Sequence, residues 1–181
     1  MIISPRPKNV SAKQATLPDM DSITRILPSI RSTAAYLILS DGNTTTIFEK
    51  DRATALVRSS SSFIVATNHD AEFESKETIT QTQAQTLKMA GIDALVEESI
   101  DRKACCESKW RKACERYRRR HPDRAKDEVC LSMRSVIRML QTYPILNECT
   151  HYAVVMDPKA GEVLWVRRWL EPVMGEEGDA G

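Results

Sequence analysis

The sequence predicts an α+β domain in which two antiparallel hairpin blocks flank a helical one. Three observations lead there: apolar alternation with turn chemistry over residues 34–67, helical periodicity over 92–140, and a second alternating pair over 151–169. Strands apolar on both faces beside two long helices point to a layered sandwich and not to a parallel doubly wound sheet. The chain has 181 residues, 41% hydrophobic and 28% charged, which suits one domain of about 100–200 residues. Residues 1–30 read as an extended lead-in, 31–170 as the folded portion, and 171–181 as a frayed tail holding three of the 6 glycines.

Each element has a local reason. Tyr36 and Ile38 alternate with Leu37 and Leu39, the mark of a strand covered from both sides. Ser40-Asp41-Gly42-Asn43 is a turn, because Asp and Gly tolerate positive φ, and Thr44 to Phe48 return from it. Thr54 to Val57 and Phe63 to Thr67 read as two further strands of a meander, the second richer in β-branched and aromatic residues. Ile92, Leu95, Val96, Ser99 and Ile100 then follow helical spacing, with Trp110, Cys114 and Tyr117 near the same stripe. His121-Pro122 stops that helix. A second helix follows Asp123, with Val129, Met133, Val136, Ile137 and Leu140 on its inner face and Asp127 and Glu128 near its positive end. His151 to Asp157, a turn at Pro158 to Gly161, and Glu162 to Trp169 form the last hairpin. There, Val163, Trp165 and Trp169 are expected on one face, Leu164 and Val166 on the other.

Composition excludes several classes. The 26 Lys+Arg and 25 Asp+Glu leave a net +1, unlike a wholly basic nucleic-acid binder, so no nucleic-acid partner is expected. No apolar run approaches the ~18 residues of a bilayer span, and Pro5 and Pro7 interrupt the place where a signal peptide needs an apolar stretch. The cysteines, Cys105, Cys106, Cys114, Cys130 and Cys149, are odd in number and lack zinc-site spacing. Cys105, Cys106 and Cys114, on a helix, read as small core residues. His69, His121 and His151 accompany no nucleophile motif. Between Asp101 and Lys126 stand eleven Lys/Arg and four Asp/Glu. That run is a solvated helix face, or, in an alternative function, a non-catalytic module that binds polyanions through the basic helix 101–126.

Two side chains remain. An Asn at the end of a strand, Asn68 in Thr67-Asn68-His69-Asp70, can present an amide donor of the kind an oxyanion hole uses. Arg102 offers a permanent charge and a fork of donors. Spacing alone reads them as a turn residue and a surface ion pair with Asp101.

Three stretches taken together change that reading: AAYLILSDGNTTTIFEKD from Ala34, FIVATNHD from Phe63, and MLQTYPILNECTHYAVVMDPKAGEVLWVRRW from Met139. In this order they resemble the later part of the acid ceramidase and N-acylethanolamine acid amidase family, choloylglycine-hydrolase-like N-terminal-nucleophile hydrolases. The likeness covers most of residues 31–170. It implies a four-layer α/β/β/α sandwich, matured by self-cleavage, that hydrolyses a lipid N-acyl amide such as ceramide through a cysteine thioester, with no metal or organic cofactor. By the same resemblance, Asn68 matches the family's oxyanion-stabilising Asn, and Arg102, in Asp101-Arg102-Lys103, matches an Arg that stabilises charge near the nucleophile. The interval between them is longer than the family's, so an insertion around 71–95 is implied; no other Arg lies between them. The nucleophilic Cys belongs well upstream of residue 31, and none of the five cysteines aligns with it. The expectation is therefore a C-terminal portion, whether fragment, truncated homologue or incomplete gene model, inactive unless joined to the missing N-terminal segment or a partner chain. The family works in acidic, lysosome-like compartments or after secretion, but no address is readable in this chain.

Overall fold

The computed structural model describes residues 19–74, 81–124 and 129–172. Among them are four α-helices and five strands in two antiparallel sheets, an α+β architecture. Strands β1 (Ala35–Ser40), β2 (Thr45–Lys50) and β3 (Ala55–Ser60) form a meander in that order. The register sets Tyr36, Glu49 and Leu56 in one row across the sheet and Leu37, Phe48 and Val57 in the next, on the opposite face. Asp41 builds the first turn: its Oδ1 accepts from the backbone N–H of Thr44 at 2.7 Å and of Asn43 at 2.8 Å. Gly42 sits there at φ 85°, where a Cβ would collide with Lys159 in the other hairpin. The tips of the two hairpins therefore touch.

The centre of the fold is β2. Phe48 and Ile47 are 0% and 1% exposed, and burying each such side chain contributes about 1.5–3 kcal/mol. Its charged residues are buried but satisfied, as burial requires. Lys50 Nζ donates to the carbonyls of Asp51 and Thr54 at 2.8 and 3.2 Å. Glu49 Oε1 accepts from Arg58 Nε at 2.9 Å and from a second guanidinium nitrogen.

The expected fourth strand of the meander is absent. Phe63 to Thr67 joins neither sheet. The chain leaves β3 at Ser61-Ser62 and crosses to a helix, where the Phe63 ring stacks on Trp110 at 4.8 Å. A strand exists only where a neighbour completes its ladder, and the anchor of this segment is a helix face. The lead-in also differs at its end. Helix α1 (Met20–Ile26) forms because Asp19 caps it, accepting from Ser22 N at 2.7 Å, and Pro28 lies in the 3-10 turn that ends it.

Helix α2 (Gln81–Ala90) lies inside the stretch expected to be an insertion, and turns at Gly91 into α3 (Asp93–Arg120), a rod about 42 Å long. Along α3, Ser99, Lys103, Ala113 and Cys114 are buried, whereas Ile92 and Leu95, at the start of the expected stripe, are exposed. Helix α4 (Met133–Leu140) is capped by Ser132, which accepts from Ser135 N. Val136, Ile137 and Leu140 are half-buried, and Met133 is exposed. Asp127 and Glu128 lie outside the described residues. Among the described residues, no helix is long and apolar enough to cross a membrane.

The second hairpin, β4 (Tyr152–Asp157) and β5 (Glu162–Arg168), carries a bulge where Leu164 is the extra residue. Trp165 pairs with Val155 and Val163 with Met156, so Val163 and Trp165 fall on opposite faces instead of sharing one. A bulge inserts one residue and so inverts the alternation beyond it. Ala153, Val155 and Trp165 are half-buried, while Tyr152, Met156, Val163 and Val166 are exposed.

Candidate functional site

Residues 67–74 are stitched between the first sheet and α3. On the sheet side, Glu49 Oε2 accepts from Ala71 N at 2.8 Å, and Tyr36 Oη donates to Asp70 Oδ1 at 2.8 Å. Desolvation, with the Asp70 carboxylate beside it, raises the Tyr36 phenol well above its ordinary pKa, so the hydroxyl keeps its proton. On the helix side, His69 Nδ1 lies 2.9 Å from Ser99 Oγ and 3.1 Å from Thr67 Oγ1. One turn further along, Lys103 pairs with Glu74 and reaches Glu107 at 3.8 Å.

His69 is 4% exposed and Ser99 0%. The His69 Nε2 has no hydrogen-bond partner; the nearest carboxylate oxygen, Glu74 Oε1, is 3.9 Å away. Burial lowers the pKa of this imidazole, partly opposed by Glu74 and aided by Lys103. It is therefore neutral near pH 7, with Nδ1 in hydrogen-bond reach of both hydroxyls. A Ser–His–Glu grouping is present, but its serine is wholly buried, and a nucleophile must reach its substrate. The cluster is a clamp.

Asn68 and Arg102 flank this clamp. Asn68 does not end a strand, because Phe63 to Thr67 has no ladder partner; it adjoins His69 on an exposed bend and makes no hydrogen bond to another described residue. Arg102 is half-buried on α3, three residues after Ser99, which places it about 4.5 Å along the axis and near the same face. The clamp thus draws together two elements separated by 34 positions. The two side chains themselves are not hydrogen-bonded to each other. A cleft of about 410 Å³ beside the junction is lined by Arg58, Phe63, Val65, Lys103 and Trp110, and one of about 480 Å³ by Tyr36, Glu49, Leu56 and Asp70; neither Asn68 nor Arg102 lines them.

A second asparagine provides contrast. Asn147, in Pro144-Ile145-Leu146-Asn147, is buried, and its Oδ1 accepts from Thr150 Oγ1 at 3.1 Å. Its side-chain carbonyl helps to start the β4–β5 hairpin, whereas the Asn68 side chain is exposed. Burial, followed by the neighbouring Cys105, pushes the Cys106 pKa up, which lowers its thiolate fraction. The five cysteines are free. Among the described residues, no group of three or more His, Cys, Asp or Glu is placed to hold a metal ion.

In the sequence His69 accompanies no motif. Its partner lies thirty residues on, and the one local signal was the coincidence of His, Thr67 and Asp70 at the end of an apolar run. No family model, curated protein or solved structure matches the chain.

Proposed function

We propose that this chain supplies the oxyanion-stabilising portion of a ceramidase-like amide hydrolase, one side of a four-layer α/β/β/α sandwich. In this reading a cysteine thiolate from outside residues 31–170 attacks the carbonyl of a lipid N-acyl amide. The Asn68 amide N–H donates to the developing oxyanion, and Arg102 offsets charge beside the nucleophile. The C–N bond breaks, the amine leaves with a proton, and water then releases the fatty acid from the thioester.

The observation that carries the reading is the His69–Ser99 clamp, which ties the segment carrying Asn68 to the helix carrying Arg102. An oxyanion donor must have an amide N–H that is not spent on the protein itself, and the exposed Asn68 side chain meets that condition. Two further features agree with missing layers. Phe63 to Thr67 has strand composition without a ladder, and the face of the second hairpin bearing Tyr152, Met156, Val163 and Val166 is uncovered.

Reconstitution tests the proposal. Mixed with or fused to the Cys-led remainder of a ceramidase-family enzyme, the 181-residue protein is expected to cleave a fluorogenic N-acyl amide; alone, it is expected not to. Turnover by the chain alone contradicts the proposal, and so does a folded but inactive reconstituted complex.

A further inference from the structure

The second half of α3 faces α4 across a cavity of about 680 Å³, larger than either cleft at the clamp. Lys109, Lys112, Arg116 and Arg120 line it from α3. Their spacings of three, four and four residues set them along one face of the helix. Arg138 lines it from α4, with the hydroxyls of Ser132 and Ser135 at that helix's capped N-terminus. Among the described residues no carboxylate lines it, and none of these five cations makes an ion pair with a described residue.

Such an arrangement is unfavourable when empty. Like charges one helical turn apart destabilise a helix, and a fifth cation faces them from the opposite wall. Arginine's planar fork matches phosphate oxygens two at a time, and hydroxyls at a helix N-terminus add neutral donors where the helix dipole favours an anion. The cavity is also lined from both sides, which suits a compact ligand better than a flat surface.

We propose that the α3–α4 cleft is a binding site for a compact, multiply charged phosphate group, carried either by a soluble polyphosphate or by a lipid headgroup. This stands apart from the hydrolase reading. Lys109 is seven residues beyond Arg102, about 10 Å along the helix, and the site needs no nucleophile.

The test is calorimetric titration of the full chain with inorganic tripolyphosphate, in parallel with co-sedimentation on phosphatidylcholine vesicles with and without phosphatidic acid. Tripolyphosphate is expected to bind with micromolar affinity at about 50 mM salt and to weaken steeply as salt rises. The pair Arg116→Ala and Arg120→Ala is expected to weaken binding at least about a hundredfold. Arg119→Ala, on the same turns but outside the lining, should leave it within about twofold, and circular dichroism establishes that each variant is folded. Tripolyphosphate binding that the double variant loses assigns a soluble ligand. Sedimentation only with phosphatidic acid, lost in the same variant, assigns a lipid headgroup. Binding to neither probe overturns the site, as does binding that the double variant retains or that Arg119→Ala abolishes equally.

Discussion

Strand β2 has two apolar residues in six and the β4–β5 hairpin nine in thirteen, yet it is β2 that is buried. Five consecutive residues of β2, Thr46 to Lys50, are buried, charges included. In β5 only Trp165 is even half-buried. The difference lies in neighbours. β2 has a strand on each side and bonded partners for Glu49 and Lys50, whereas β4 and β5 have only each other, and a two-stranded unit is marginal in water without a face to pack on. An alternating strand pattern thus states a need for cover, and the surrounding fold decides whether the need is met. In the proposed sandwich, the cover for this hairpin comes from the layer that residues 31–170 do not supply.

Truncating the buried strand should have the largest effect. Phe48→Ala is expected to cost about 3–5 kcal/mol, and Val163→Ala on the open hairpin less than about 0.5 kcal/mol, both read from urea melts. Equal losses would mean the hairpin is covered in solution, by a second copy or another face. The two turns sharpen the comparison. Gly42→Ala meets both a φ of 85° and the collision with Lys159, while Gly161 at 69° has open space around it. Costs of about 2 and about 1 kcal/mol respectively are expected; if the two are equal, the hairpin tips do not touch.

Smaller effects are expected at the clamp. Ser99→Ala removes one hydrogen-bond partner of His69 Nδ1 but leaves Thr67 in place, and should cost about 1 kcal/mol. The depressed His69 pKa also sets a sign. Below about pH 6.5 the unfolded imidazole takes up a proton that the folded one resists, so stability is full above that pH and falls as the solution is acidified. Urea melts between about pH 5 and pH 8 should show that slope, and His69→Gln should flatten it. An unchanged slope would mean that another group carries it.

What was legible in the sequence was local. Asp41-Gly42 and Pro158 to Gly161 mark hairpin turns because turn chemistry resides in the turn residues, and α3 emerges from apolar spacing and ends at His121 as Pro122 requires. What stayed hidden depends on distant partners. Phe63 to Thr67 reads as a strand by composition, yet Trp110, 47 positions beyond Phe63, takes its ring. The role of His69 is set by Ser99, and helix α2, rich in Gln and Thr, has little apolar periodicity to announce it. Asn68 and Arg102 were chosen by resemblance. The His69–Ser99 bond that ties their two segments together is a tertiary fact that no spacing rule contains.

The central claim is that the open amide of Asn68 receives charge from a scissile carbonyl. Its most direct test is the turnover number of the reconstituted enzyme carrying Asn68→Ala, measured on a fluorogenic N-acyl amide beside Asn147→Ala. The account predicts a fall of about 10²–10³ in kcat for Asn68→Ala with self-cleavage and KM little changed, and for Asn147→Ala a loss of stability instead. A folded, processed Asn68→Ala enzyme with undiminished kcat would contradict it.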